Sequence, residues 1–114
     1  MLDYLFELKN KEFVFACLNL LKEKGLLTDE NIKIMTNSDT CHRKFCFQYP
    51  ILCEVPSVGS ISREMFMDAT GNRRYYPQPY QINGKRYIVC NDWYNGKIRD
   101  NRTPFVDWIK RLMR

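Results

Sequence analysis

The densest group of potentially reactive side chains lies between positions 41 and 53. It contains Cys41, His42, Cys46 and Cys53. Thiolate sulfur and imidazole nitrogen are ligands that zinc prefers, but the spacing C-H-x3-C-x6-C lacks the CxxC pair that closes a structural site. Cysteine is also one of the residue types most often buried as a small apolar side chain. We therefore predict buried thiols and no metal site.

The same segment does not predict a catalytic pair. His42 is the only histidine. On a helix its neighbour Cys41 projects about 100° away, so the two cannot act as base and nucleophile. The sequence has none of the motifs of serine hydrolases, phosphate-binding loops, zinc proteases or dinucleotide-binding domains. We predict no enzyme and no cofactor, while a nuclease using Glu64, Asp68 and Asp92 stays open as the alternative.

The composition is that of one globular domain spanning residues 1–114. The chain has a mass of 13.7 kDa and contains 45% hydrophobic, 14% aromatic and 27% charged residues, which supplies a core and argues against disorder. No apolar run is long enough to cross a membrane. Asp3 and Glu7 stand where an export signal would carry Lys or Arg. The chain also has an odd number of cysteines, five in all. The odd number and the lack of an export signal predict reduced thiols and a location in the cytoplasm. No membrane partner is predicted.

Positive charge is concentrated at the end of the chain. The whole sequence carries a net charge of +5. Residues 1–30 have four basic and six acidic side chains, residues 31–70 have four of each, and residues 71–114 have ten basic and three acidic side chains, a net +7. A local excess of this kind attracts polyanions through Coulomb attraction and counterion release. A solvated basic surface without a specific partner is the alternative that charge alone leaves open.

Apolar periodicity predicts three helices in the first half of the chain. The longest covers residues 11–24 and is capped by Asn10. Thr28 caps a second helix of about two turns, and a third covers residues 38–45. A tight polar turn separates the second and third helices, as in a helix-turn-helix arrangement.

The clearest turn signal in the chain is Asn83-Gly84. This pair supplies the two positive φ angles of a type I′ turn, so a tight hairpin is predicted between residues 80–82 and 85–90. Prolines confine the first strand to a sheet edge, and Arg73-Arg74 is expected to enter that strand.

Two further helices are predicted around the hairpin. Residues 62–67 favour a short helix, which Ser62 would cap, over a strand. The last helix is capped by Thr103 and has Pro104 at its first position.

Three helices, a hairpin and a closing helix resemble the winged helix, an α+β fold of DNA-binding domains. In that family the third helix enters the major groove, and the hairpin, or wing, lies along the backbone or minor groove. The resemblance covers residues 11–89 and concerns architecture rather than a diagnostic motif. It implies nucleic-acid-binding residues in two groups, namely His42, Arg43 and Lys44 on the third helix and Arg73, Arg74, Lys85 and Arg86 on the wing. The third helix is shorter than in the family, and the segment after it is longer.

The sequence from residue 45 onwards is also similar to small modules of bacterial and phage defence or restriction proteins. The similarity is carried by Phe45, Tyr49-Pro50-Ile51-Leu52, Arg74-Tyr75-Tyr76, Ile82-Asn83-Gly84-Lys85, Val89-Cys90-Asn91-Asp92-Trp93-Tyr94, Phe105 and Trp108-Ile109. The function predicted is nucleic-acid binding, with DNA rather than RNA as the partner. The alternative is a protein-binding module, such as a phage-encoded inhibitor of a host nucleic-acid-binding or defence protein, or a homodimer.

Overall fold

The structure is a computed structural model that describes residues 2–114. Within these residues it contains four α-helices and a three-stranded antiparallel sheet, with a Cα radius of gyration of 13.6 Å. The elements are α1 (Asn10–Glu23), α2 (Asp29–Thr36), α3 (Ser38–Phe45), β1 (Leu52–Val55), β2 (Tyr80–Ile82), β3 (Lys85–Val89) and α4 (Arg102–Leu112), with 3₁₀ helices at Asp3–Glu7 and Arg63–Phe66. The predicted α+β class is confirmed. None of the helices in residues 2–114 has the length and apolar character that a bilayer crossing needs.

The three N-terminal helices form where the sequence predicts them, with a correction at the start of α1. Asn10 is the first helical residue and not the cap, and its side-chain oxygen accepts a hydrogen bond of 2.6 Å from Arg102 instead. Thr28 caps α2 as predicted, because its hydroxyl oxygen accepts from the Asn31 amide. Asn37 caps α3 in the same manner. Side-chain capping therefore sets the start of α2 and of α3.

The predicted hairpin is confirmed, with Ile82 opposite Lys85 and Tyr80 opposite Tyr87. Asn83 and Gly84 have φ angles of 52° and 82°, the two positive values that a type I′ turn requires. The sheet order is β1-β3-β2, so β2 is an edge strand, as the prolines before it require. β1, which the sequence analysis did not predict, pairs with the other side of β3 and places Leu52 opposite Val89.

A long segment, residues 56–79, connects β1 to β2. Its final part runs antiparallel to the end of β3, since the Tyr76 amide donates to the Val89 carbonyl and the Asn91 amide donates to the Arg74 carbonyl. The helix predicted at residues 62–67 is observed as a 3₁₀ helix without a side-chain cap. The expectation that Arg73-Arg74 enters the first hairpin strand is wrong, because this pair lies well before β2.

Trp93 lies inside the core, where three aromatic rings surround it. Its indole ring contacts Phe13 of α1, Phe47 after α3 and Phe105 of α4, with ring centroids 5.1, 4.5 and 5.1 Å away. The indole N–H donates to the Cys90 carbonyl oxygen at 2.8 Å, so the polar edge of the ring has a partner inside the protein. Aromatic pairs of this kind contribute about 0.5–1.5 kcal/mol each beyond the area they bury. Trp93 therefore fixes the chain between β3 and α4.

α4 begins at Arg102, before its predicted start. Asp100 accepts hydrogen bonds from the amide and the hydroxyl of Thr103, so Asp100 rather than Thr103 supplies the side-chain cap. Arg102 is buried, and its guanidinium donates to the Leu8 carbonyl oxygen at 2.7 Å and to Asn10. These bonds tie the first turn of α4 to the beginning of the chain.

Gly84→Ala is expected to destabilise the protein by about 1–2 kcal/mol, because a Cβ disfavours positive φ. The φ of Gly84 is 82°, and a Cβ there meets no other atom within 4 Å, so the cost is a backbone cost. The urea denaturation midpoint measures it. Gly96→Ala is the matched control, since that glycine does not have positive φ and its Cβ meets only the Arg99 carbonyl oxygen at 3.5 Å. Equal midpoints for the two variants would contradict the turn assigned to Gly84.

Candidate functional site

The cations in the last turn of α3 face solvent. Arg43 and Lys44 are exposed, and within residues 2–114 neither forms an ion pair. His42 is also exposed, but its Nδ1 lies 3.2 Å from the Phe47 carbonyl oxygen, which orients the imidazole toward the chain that follows the helix. Positive charge suits the C-terminal end of a helix dipole, so a structural role accounts for part of this cluster.

A projecting turn, residues 95–100, connects Trp93 to α4. Its base is closed by an antiparallel bridge between Asn95 and Asp100 and by a hydrogen bond from the Gly96 amide to the Arg99 carbonyl oxygen. The turn is therefore an ordered element with its own backbone bonds.

The side chains of this turn combine positive charge with an exposed apolar group. Lys97 and Ile98 occupy the tip, and the Ile98 side chain is 98% exposed. The Arg99 guanidinium carbon lies over the ring of Tyr94, 4.0 Å from its centroid. Because the aromatic face holds the guanidinium, Arg99 has a defined position at the surface.

The end of α3 and the projecting turn are neighbours. Cys46, which ends α3 with a left-handed φ of 62°, lines a cavity of about 230 Å³ together with Tyr94, Ile98 and Arg99. The last turn of α3, which carries Arg43 and Lys44, thus ends beside a turn that is distant in the sequence and carries Lys97 and Arg99. We call this area the α3–turn surface. It is defined by Arg43, Lys44, Cys46, Tyr94, Lys97, Ile98 and Arg99.

A buried carboxylate, Asp92, lies beneath part of this surface. It is 3.7 Å from the Arg99 guanidinium and 3.8 Å from that of Arg74, so two cations share one negative charge. The pKa of the Tyr94 hydroxyl is raised, mainly by a hydrogen bond to Asp92 and to a smaller extent by partial burial. Asp92 thus compensates for part of the positive charge of Arg74 and Arg99, and a second carboxylate, Asp100, lines the cavity at the turn.

Arg74 is held by the protein rather than left to solvent. Its Nε lies 2.9 Å from Asp68, and its guanidinium lies 5.3 Å from the centroid of the Tyr49 ring. Hydrogen bonding from the Thr70 hydroxyl, assisted by Arg74, keeps the pKa of Asp68 well below its usual range despite partial desolvation. The adjacent Arg73 is exposed and forms no ion pair within residues 2–114.

The cations of the β2–β3 hairpin have other surroundings. Arg86 donates to the Pro56 and Gly59 carbonyl oxygens at 2.7 and 2.9 Å, so it holds the loop after β1. Lys85 lies in a groove of about 550 Å³ between α2 and the sheet. The charged residues that line this groove are Asp29, Glu30, Lys33, Glu54 and Lys85. Acidic side chains outnumber basic ones there.

The structure thus separates the predicted site residues into two ends of the molecule. Arg74 lies opposite Asn91, and Lys85 lies at the hairpin turn. These positions are separated by the length of β3 and two further residues, about 20 Å at the usual strand spacing. Arg74 approaches the α3–turn surface through Asp92, which it shares with Arg99, whereas Lys85 and Arg86 lie at the other end.

All five cysteines are free thiols. No three His, Cys, Asp or Glu side chains within residues 2–114 lie where they would hold a metal ion. Cys41 is buried with its thiol on the Ile34 and Met35 carbonyl oxygens, and burial raises its pKa. The prediction of a buried thiol is wrong for Cys46, because the left-handed end of α3 leaves it exposed.

Two of the three carboxylates considered for a nuclease are brought together by a cation. Asp68 and Asp92 both contact the Arg74 guanidinium, at 2.9 and 3.8 Å. Glu64 is exposed in the 3₁₀ helix and makes no ion pair within the described range. This arrangement is that of a structural ion-pair network around Arg74.

The sequence analysis did not select the projecting turn. Lys97 and Arg99 contributed only to the charge count, and Ile98 did not enter the argument. A signal was present in Asn95-Gly96, the same pair of residue types that predicted the hairpin. That signal predicts a turn but not its position beside α3, which depends on the burial of Trp93.

Comparison of the chain with family models, with curated proteins and with solved structures finds no match. The resemblances to winged-helix domains and to defence or restriction modules therefore stay predictions. The functional argument rests on the α3–turn surface itself.

Asp68→Asn is expected to lower stability at neutral pH and to lose this effect in acid. The folded-state pKa of Asp68 is depressed, so its charge stabilises the fold above the unfolded pKa of about 3.9. The contribution declines as the pH falls from that value toward the folded-state pKa. Urea denaturation of wild type and of Asp68→Asn, from neutral to acid pH, measures the difference in their free energies of unfolding.

Asp107→Asn is the control for this experiment. It removes an exposed carboxylate of α4 that forms no ion pair within residues 2–114, and it is expected to change stability little at any pH. A difference between Asp68→Asn and wild type that does not depend on pH would contradict the role assigned to the ion pair.

Proposed function

We propose that this protein is a nucleic-acid-binding module that holds duplex DNA against the α3–turn surface. The observation that carries the proposal is the cavity shared by Cys46 and Ile98, because it joins the turn to the end of α3, the helix whose last turn carries Arg43 and Lys44. Arg43, Lys44 and Lys97 are exposed and form no ion pair with any other residue in the described range. Their charges are therefore free to contact phosphates.

α3 and the turn take different parts in this proposal. α3 carries Arg43, whose planar guanidinium suits a bidentate contact with guanine in the major groove. The turn acts as the wing, since a projecting tip reaches phosphates that a flat surface does not. Lys97 supplies a cation for the phosphates, and Ile98 is an apolar side chain of the kind that minor-groove proteins insert between base steps. In this proposal α3 corresponds to the recognition helix of a winged helix, and the turn, instead of the β2–β3 hairpin, corresponds to the wing.

The hairpin end of the molecule suits a polyanion less well. A phosphate near Lys85 would also lie near Asp29, Glu30 and Glu54. At physiological salt the screening length is about 8 Å, so repulsion from groups in the same groove is not screened. This is the reason for assigning the phosphate contacts to the turn.

The triple variant Arg43→Gln/Lys44→Gln/Lys97→Gln is expected to bind a generic duplex more weakly and with a smaller salt dependence. The logarithm of the binding constant falls with the logarithm of salt concentration by about 0.9 per phosphate contact, so loss of the phosphate contacts of Lys44 and Lys97 reduces the slope by about 1.8. Fluorescence anisotropy with a labelled duplex, between low and physiological salt, measures affinity and slope together.

The variant Lys9→Gln/Lys33→Gln/Lys85→Gln is the matched control, because it removes the same charge from exposed lysines elsewhere. Its slope is expected to equal that of wild type. Equal losses in both variants would show that net charge, and not the α3–turn surface, attracts the duplex. Wild type that fails to bind duplex at low salt would overturn the proposal.

One observation favours a protein partner as a second candidate function. Ile98 is 98% exposed, Tyr94 is 37% exposed, and Arg99 lies over the Tyr94 ring. Aromatic and arginine side chains beside an apolar group are the residues that carry binding energy in protein interfaces. A second copy of this chain is the partner to test first, because it requires no other component.

For this second candidate, Ile98→Asp is expected to weaken self-association by roughly thirtyfold, since burying an isoleucine contributes about 2 kcal/mol. Sedimentation equilibrium of wild type and variant measures the dissociation constant. Val58→Asp, at another exposed aliphatic side chain (80% exposed), is the control and is expected to behave like wild type. Wild type that sediments as a monomer at every concentration would remove the homodimer.

A further inference from the structure

A groove lies where the C-terminal ends of α1 and α4 meet. It has a volume of about 670 Å³, within the size range of small-molecule sites. Its lining residues are Leu2, Leu20, Lys24, Lys110, Met113 and Arg114. It is at the opposite end of α4 from the projecting turn, about 16 Å along the helix axis.

Each helix contributes an apolar side chain and a cation to the same side of the groove. On α1, Leu20 and Lys24 are four residues apart, so they lie on one face of the helix. At the end of α4, Lys110 is followed by Met113 at the third position and by Arg114 at the fourth. The groove therefore has an apolar floor and a basic rim.

The charge at this groove stays positive after the helix dipoles are included. Two helix C-termini contribute roughly −0.5 each, about one negative charge in total, against three cations. A free carboxylate at Arg114 would remove one further unit and still leave an excess of about one positive charge. The cations thus exceed what the helix ends require.

Among the described residues, no carboxylate side chain lines this groove, in contrast to the groove beside α2 and the cavity shared by Cys46 and Ile98. The groove beside α2 contains Asp29, Glu30 and Glu54, and the cavity at the turn contains Asp100. A ligand with a negative group therefore meets three cations, Lys24, Lys110 and Arg114, whose charge exceeds that of the two helix ends.

We propose that this groove binds a monomeric single-chain aliphatic anion, of the class of a medium-chain carboxylate. The alkyl chain lies against Leu2, Leu20 and Met113, where it is removed from water. The carboxylate lies among Lys24 and Lys110, which donate charge-assisted hydrogen bonds. Apolar length and negative charge are both needed, because the groove supplies a partner for each.

The probe for the test is sodium decanoate, added below its aggregation concentration to the ¹⁵N-labelled protein. Saturable amide shifts are expected at the residues that line the groove and not at the α3–turn surface. Decyltrimethylammonium, which has the same chain with the opposite charge, and decanol, which has no charge, are expected to cause no saturable shift there.

Two charge reversals test the basic rim separately, so that one misfolded variant does not decide the outcome. Lys24→Glu and Lys110→Glu are each expected to weaken decanoate binding by about tenfold or more, since each removes a charge-assisted contact. Met113→Gln, which makes the floor more polar, is expected to weaken binding severalfold. Lys97→Glu, at the turn, is the control and is expected to leave decanoate binding unchanged.

Three results would overturn the proposal. They are equal binding of decanoate and decyltrimethylammonium, shifts that map to another part of the molecule, and binding to phosphatidylglycerol vesicles without binding to monomeric decanoate. The last result would assign the groove to a membrane surface instead. Lys97→Glu is also expected to weaken duplex binding, so the failure of either proposal is distinguishable from the failure of the other.

Discussion

Trp93 is enclosed by Phe13, Phe47 and Phe105. This packing restricts the path of the backbone before and after Trp93. The indole N–H on the Cys90 carbonyl oxygen prevents the ring from turning over, so β3 is held at one side and the projecting turn at the other. Because the ring packs among α1, α4 and the segment that follows α3, the residues after Trp93 leave the core near the end of α3. The neighbourhood of α3 and the turn is therefore a consequence of core packing, and loss of this ring would move the α3–turn surface as well as destabilise the fold.

Local signals were enough to predict the elements that depend on neighbouring residues alone. The hairpin is set by Asn83-Gly84, and α2 is set by Thr28, whose cap bond reaches three residues along the chain. β1 was missed because four residues, Leu52–Val55, form a strand only when β3 is present to pair with them. The predicted starts of α1 and α4 were also wrong, because Asn10 and Arg102 bond to each other and residues so far apart in the sequence give no local signal.

The candidate site was less accessible to sequence reasoning, because a cation is free or occupied according to partners far away in the chain. Arg86 is occupied by the carbonyl oxygens of Pro56 and Gly59, and Arg74 is occupied by Asp68. Nothing in the residue types distinguishes these arginines from Arg43, which forms no ion pair within residues 2–114. The net positive charge counted from the sequence was therefore correct. Which of the cations are bound within the fold and which are exposed is seen only in the tertiary structure.

Arg102 joins the two extremities of the chain, since its guanidinium reaches the Leu8 carbonyl oxygen across 94 positions of sequence. Contacts between residues so far apart form late, because the intervening chain must first lose its freedom. During synthesis, the Arg102 guanidinium can bind the Leu8 carbonyl oxygen and Asn10 only after α4 has emerged from the ribosome. Folding of residues 2–114 is thus coupled to the synthesis of α4, and chains that lack α4 expose the aromatic core to proteases and to one another.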